Sequence, residues 1–241
     1  TEQIEMAKER VSTKIKNGKY IAYFQSFTNT YGNVDYLEKI FTEAINHPDI
    51  VCLSIGTRPD CLPDDVIDLL NRLNKIKPVW IELGLQTIHE DTATYINRGY
   101  TLNIFDDALS KLNAIGVEVI VHLILGLPYE TESDILESVS YVCNKPISGI
   151  KLQLLHILKN TPLEKEYLLN KFHVFSLEEY TTLLGKCICT IPKNIVIHRI
   201  TGDGPKSLLI APQWSADKKR VLNYINKYFQ EHNIIQGKNL Q

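Results

Sequence analysis

The chain has 241 residues, one large domain or two small ones at roughly 150 residues per domain. Hydrophobic residues make up 44% and charged residues 22%, which excludes a disordered chain and allows a core to form without disulfides. With 26 basic and 28 acidic residues the net charge is −2, so no bulk field recruits nucleic acid or an anionic membrane.

Thr1 lies inside a helical pattern, IEMAKERVSTK. A chain that opens this way, without Met, is expected to be an N-terminally truncated fragment. After it, short β-branched and aromatic runs alternate with amphipathic stretches. The runs are YIAYF from Tyr20, IVCLSI from Ile50, VWIEL from Val79, VEVIVHLIL from Val117, IKLQLLHI from Ile150 and IVIHRI from Ile195. Between them lie VDYLEKIFTEAIN, LPDDVIDLLNRLNKI, TLNIFDDALSKLNAIG and TESDILESVSYVCN. Gly116 reads as a C-cap, and Thr131 opens a helix with acidic residues in its first turn. SADKKRVLNYINKYFQEHN reads as a terminal helix. No stretch is long and apolar enough to span a bilayer, since VEVIVHLILGLP contains Glu118 and His122. The opening residues show no signal-peptide pattern, which makes the cytoplasm the expected compartment and a membrane an unexpected partner.

Strand–helix alternation predicts parallel strands with crossover helices. Side-chain parity then separates a doubly wound sheet from a barrel. Leu53 and Ile55, Ile81, Leu83 and Leu85, and Val121, Leu123 and Leu125 fall on one face. Ser54 and Gly56, Glu82, Gly84 and Gln86, His122, Lys151 and Gln153 fall on the other. A doubly wound sheet buries both faces and reads as continuous hydrophobics, whereas a polar inner row suits a barrel. A closed eight-stranded barrel needs about 250 residues. The expectation is an α/β fold: a partial, incomplete TIM-type barrel of parallel strands with outer helices and its first strand absent. Residues 1–241 form a single domain fragment, with the barrel over about 1–200 and a C-terminal loop and helix over 201–241.

The five cysteines, Cys52, Cys61, Cys143, Cys187 and Cys189, have irregular gaps and no metal-knuckle spacing. They read as ordinary buried or half-buried thiols. His122, His156 and His198 lie on three strands and pose a three-histidine metal site against plain core histidines. TGDGP followed by Lys206 is either a phosphate-cradling loop or a plain turn. Tyr20, Tyr23, Phe24 and Phe27 read as strand core and barrel wall.

In parallel βα folds function gathers at the carboxyl ends of the strands. Those ends read QSFTNTY, SIGTRPDC, ELGLQT, HLILGLPYET, LLHILKNTPL and HRITGDGP. Together they resemble the radical S-adenosylmethionine (SAM) enzymes, and more narrowly a bacterial family related to oxygen-independent coproporphyrinogen oxidase and the Elongator catalytic subunit. SIGTRPDCLP, ELGLQTIHEDTATYINRG and HLILGLPYET are the most specific pieces. The resemblance implies that Gln25, Ser26 and Thr28 occupy the loop facing the methionyl amine, although the family's glycines are missing there. Gly56 stands where relatives often carry an acid, leaving Ser54, Thr57 or Arg58 to substitute. Gln86 would reach the ribose, Arg98 the methionyl carboxylate, and His122 the ribose hydroxyls; Leu125 and Leu127 would wall the adenine. Glu82, Lys151 and Gln153 are the substrate-side candidates.

The family holds a [4Fe–4S] cluster by three closely spaced cysteines, and no such triplet occurs here. Its ligands are expected upstream of Thr1, so the chain holds no metal itself and the fragment alone is expected to be inactive. The implied activity of the full-length parent is reductive cleavage of SAM to a 5′-deoxyadenosyl radical. An electron donor and a small-molecule or exposed-chain substrate would be its partners. Two alternatives stay open. One is a cofactor-free barrel enzyme acting on a phosphorylated small molecule through TGDGP and Lys151. The other is a non-catalytic binding module.

Overall fold

Periods of two and 3.6 residues lay out the chain as expected in the computed structural model, which describes residues 2–11, 18–25, 27–202 and 204–240. The order is α1 (Glu2–Val11), β1 (Tyr20–Phe24), α2 (Val34–Asn46), β2 (Ile50–Thr57), α3 (Asp64–Asn74), β3 (Val79–Gln86), α4 (Glu90–Tyr95), α5 (Leu102–Ala114) and β4 (Glu118–Leu125). It continues with α6 (Glu132–Cys143), β5 (Gly149–Leu154), β6 (Ile157–Leu158), α7 (Pro162–Leu168), α8 (Leu177–Thr190), β7 (Val196–Arg199), β8 (Leu209–Ala211) and α9 (Lys218–Glu231). Six strands form one sheet in the order β1-β2-β3-β4-β5-β7, and β6 pairs with β8 as a separate ribbon. Among the described residues no helix is long and apolar enough to cross a membrane.

The chain divides into two compact units, Thr1–Leu85 with Tyr100–Val121, and Gln86–Gly99 with His122–Gln241. In the first unit β1 pairs parallel with β2, placing Tyr23 beside Ser54. β2 pairs parallel with β3, placing Ser54 beside Trp80 and Gly56 beside Glu82. Helix α2 starts where the Asn33 side chain accepts the Asp35 and Tyr36 backbone N–H groups at 2.8 and 3.3 Å, satisfying donors that a helix start leaves open. Its Leu37, Phe41, Ala44 and Ile45 recur at helical spacing and are buried. Phe41 meets Phe24 edge-on with centroids 5.0 Å apart. Phe105, Ala108, Leu109 and Leu112 make the same kind of stripe on α5. That helix ends at Gly116, whose φ of +70° favours a residue without a Cβ.

In the second unit β5 pairs parallel with β7, and β6 antiparallel with β8. Helix α6 begins with the expected Thr131. The Thr131 hydroxyl accepts the Asp134 N–H at 3.3 Å, while the Asp134 carboxylate accepts the Thr131 N–H at 2.7 Å. Ser176 and Glu179 repeat the device at the start of α8. Ile135, Val139 and Val142 of α6 and Tyr180, Leu184 and Cys187 of α8 are buried.

The aromatic reading needs correction at Phe27, which is 99% exposed with a φ of +60°. It lies beyond the end of β1, where no strand pleat turns it inward. Tyr23 is also more exposed than a core residue, and its hydroxyl donates to the Glu82 carboxylate. All five cysteines are free thiols, three of them buried and two half-buried. Burial pushes the Cys52 thiol up to about 11 and those of Cys143 and Cys187 up to about 12.

Candidate active site

In the first unit the parity of β1, β2 and β3 brings polar groups together. Glu82 is 5% exposed. Its two oxygens accept the Ser54 hydroxyl at 2.8 Å and the Tyr23 hydroxyl at 2.5 Å. Hydroxyl donors make it possible to bury a carboxylate that would otherwise be costly to desolvate. Period two alone turns Ser54 and Glu82 inward. It does not single out Tyr23, since an aromatic at alternate positions reads equally as wall.

Beyond β1, Gln25 is exposed and Thr28 half-buried. Ser26 lies outside the described residues. The loop itself is anchored by Asn29. Its side-chain amide donates to the Phe24 carbonyl at 3.0 Å and the Gly56 carbonyl at 2.9 Å, and its backbone N–H also reaches the Gly56 carbonyl at 3.1 Å. A Cβ at position 56 would come within 3.3 Å of the Phe24 carbonyl oxygen. The glycine therefore suits the close approach of two strand ends. Thr30 and Thr57 are buried and share a hydrogen bond at 2.5 Å. Arg58 grips Asp60 through two nitrogens at 2.9 and 2.7 Å and lies over the Tyr100 ring. The Tyr100 hydroxyl in turn donates to the Gly84 carbonyl.

The second unit holds the turn that follows β3. Gln86 has a φ of +68°, an uncommon backbone state for a residue other than glycine. Next to it, the Thr87 carbonyl accepts the Arg98 guanidinium at 2.6 Å. Arg98 also donates to Glu90 at 3.1 Å, and its side chain is 1% exposed. The Thr87 hydroxyl donates to the Glu130 carboxylate at 2.5 Å and accepts the His89 backbone N–H at 3.1 Å. Burial raises the Glu130 carboxyl above its ordinary value, against hydrogen bonds from Thr87 and Thr92 that lower it. Glu130 also lines a cleft of about 350 Å³ with His89, Asp91, Tyr95, Tyr129 and Asp134.

On β4, the half-buried His122 has its Nδ1 3.1 Å from the Gln153 amide nitrogen. An amide N–H only donates, so Nδ1 accepts and the ring proton sits on Nε2. Leu125 and Leu127 are buried at 1% and 3% exposure. Lys151 is buried and Gln153 half-buried on β5. Thr87 and Glu130 escaped sequence reasoning. Their only trace was the Thr after Gln86 in ELGLQT and the Glu of GLPYET.

A three-histidine metal site does not fit the geometry of the described residues. His122, His156 and His198 do not gather within ligating distance among the described residues. Gly204 donates its backbone N–H to His156 Nδ1 at 3.2 Å, and a Cβ there would come within 2.7 Å of that nitrogen. A Cβ at Gly202 would collide with the same ring. The glycines of TGDGP thus make room for an imidazole.

The cysteines do not fit a cluster. Neither group of side chains able to hold a metal ion among the described residues contains a thiol, and burial keeps three of the five protonated. In the second unit Gln86 offers a carboxamide, His122 and Gln153 a paired imidazole and carboxamide, and Leu125 and Leu127 buried apolar side chains.

Residues 1–142 match the model of the Radical SAM superfamily, and residues 147–231 match that of the Radical SAM C-terminal domain. YtqA of Bacillus subtilis is 45% identical over 234 residues, covering 97% of this chain and 73% of that protein. YhcC of Escherichia coli K12 is 35% identical over 217 residues, covering 90% and 70%. Archaeal Methanocaldococcus infernus Elp3, lacking its N-terminus, superposes with a TM-score of 0.81 at 19% identity over 98% of this chain. This chain spans 58% of that structure. Coproporphyrinogen III oxidase (HemN) from Escherichia coli, a radical SAM enzyme, superposes with a TM-score of 0.50 at 16% identity, over 88% of this chain and 40% of its own. These likenesses show the fold to be the partial TIM-type barrel with surrounding helices, and superfamily membership carries SAM-dependent radical chemistry with it. By the family model that covers most of its length and by its resemblance to YtqA and YhcC, this chain belongs to the radical SAM superfamily.

Proposed function

We propose that the full-length protein cleaves SAM reductively to methionine and a 5′-deoxyadenosyl radical, which removes a hydrogen atom from a small molecule or an exposed chain segment. The superfamily match over residues 1–142 carries this reading. Enzymes of this superfamily generally use a [4Fe–4S] cluster for the electron, fed by an external donor. Its thiolates are proposed to come from outside residues 1–241, because the cysteines here do not fit that role.

What this chain contributes is binding and orientation. In the second unit Gln86 offers a carboxamide to the ribose, and His122 offers its Nε2 proton to a ribose hydroxyl while Gln153 holds the ring. Leu125 and Leu127 give the adenine an apolar wall. Arg98, expected at the methionyl carboxylate, has a buried guanidinium that donates to the Thr87 carbonyl and Glu90, which favours holding the Gln86 turn in place. In the first unit Gln25, Thr28 and Ser54 remain the candidates for the methionyl end. Glu82 and, in the second unit, Lys151 and Gln153 are proposed to serve the substrate.

The test is anaerobic reconstitution of the full-length protein with iron and sulfide, followed by reduction in the presence of SAM. Release of 5′-deoxyadenosine is the expected result. A reconstituted protein that binds no SAM and releases no nucleoside sinks the reading.

A further inference from the structure

We propose that Thr87 and Glu130 are positioning residues for the SAM nucleoside: their hydrogen bond locks the turn that presents Gln86 to the loop that presents Leu125 and Leu127, so that the two segments hold the ligand as one piece. The proposal rests on the reading of SAM at these strand ends.

The geometry of Thr87 points this way. It is 1% exposed, and three contacts converge on it. Arg98 holds its carbonyl at 2.6 Å, Glu130 accepts its hydroxyl at 2.5 Å, and the His89 N–H donates to that same hydroxyl at 3.1 Å. Such over-determination is what lets a strained backbone persist, and the strained residue is its neighbour Gln86 at a φ of +68°. A second anchor lies one residue further, where the Ile88 N–H donates to the Ser138 hydroxyl at 3.3 Å.

Glu130 closes the other side. Its N–H donates to the Leu127 carbonyl at 3.3 Å, so its own backbone belongs to the GLPYE turn that begins at Gly126 with a φ of +89°. The side chain leaves that turn and bonds Thr87. Half-buried at the wall of the cleft, the carboxylate loses part of its hydration, and the Thr87 hydroxyl replaces it with a directional bond. A directional acceptor here does what packing cannot: it fixes the register of one loop against the other. Affinity for a ligand that touches both loops then depends on their being set before it arrives.

The test uses the full-length protein under anaerobic conditions, with Thr87→Val, Thr87→Ser, Glu130→Leu and Glu130→Gln. Thr87→Val and Glu130→Leu are each expected to raise the KM for SAM about tenfold, equivalent to about 1.4 kcal/mol, and to leave the maximal rate within about twofold. Thr87→Ser and Glu130→Gln keep the donor and an acceptor, and are expected to bind SAM within about threefold of the parent. The double variant Thr87→Val with Glu130→Leu is expected to be no worse than either single one. Amide hydrogen exchange without SAM supplies an independent readout: Thr87→Val should speed exchange over 86–89 and 126–130 together. Additive single variants, loosening confined to one loop, or a Thr87→Val protein that binds SAM like the parent would each overturn the proposal alone. A parent protein that fails to bind SAM overturns the nucleoside reading and the proposal with it.

Discussion

Two carboxylates, the buried Glu82 and the half-buried Glu130, accept hydroxyl groups, and both contacts are open to direct test. Tyr23→Phe and Ser54→Ala each deprive Glu82 of a donor while leaving its carboxylate buried. Each is expected to lower stability by about 1–3 kcal/mol in denaturant titration, and no change in either would remove Glu82 from its hydrogen-bonded role. For Glu130 the sign runs with burial. Its folded-state carboxyl titrates above the ordinary value, so its contribution to stability is fully present below the ordinary glutamate range and is lost as pH rises through the folded value. His89 and Asp134 face it and act in opposite senses, the first lowering and the second raising it. Glu130→Gln abolishes this titration. The variant's melting temperature relative to the parent should therefore climb as pH rises above the ordinary glutamate value, and a constant difference in calorimetry would contradict the burial argument.

At the scale of elements, much of the chain was legible because periodicity is local. Within each unit the polar pairs followed from alternation, Ser54 with Glu82 in the first and His122 with Gln153 in the second, as did α2, α5 and α6 from their apolar stripes. What escaped was set by distance or brevity. The ribbon of β6 and β8 has two and three residues per strand, too few for a period to register. The Thr87–Glu130 contact beside the left-handed Gln86 spans 43 positions in sequence, and no local pattern announces such a pair. The same logic explains Phe27: past the pleat, hydrophobicity no longer predicts burial. Where the stripe did decide, the energetic consequence is large. Phe41 on α2 is fully buried, so Phe41→Ala is expected to cost about 3–5 kcal/mol, read from the shift of the unfolding midpoint; a cost under about 1 kcal/mol would mean that the stripe packs loosely.

For the molecule as a whole, the thiols report on integrity. Burial holds Cys52, Cys143 and Cys187 protonated far above neutrality, and only a thiolate attacks readily. Alkylation of the native chain near pH 8 should spare these three and modify all five cysteines after denaturation. Rapid labelling of Cys187 in the native protein would show that α8 is not seated as described.

The Asn29 amide bridging the Phe24 and Gly56 carbonyls is a clip that an acid at the same place would undo. An aspartate there would replace a two-proton donor with an acceptor-only anion facing two carbonyl oxygens. Asn29→Asp should therefore lower the unfolding midpoint by the equivalent of about 1–3 kcal/mol, and an unchanged midpoint would show that the clip bears no load.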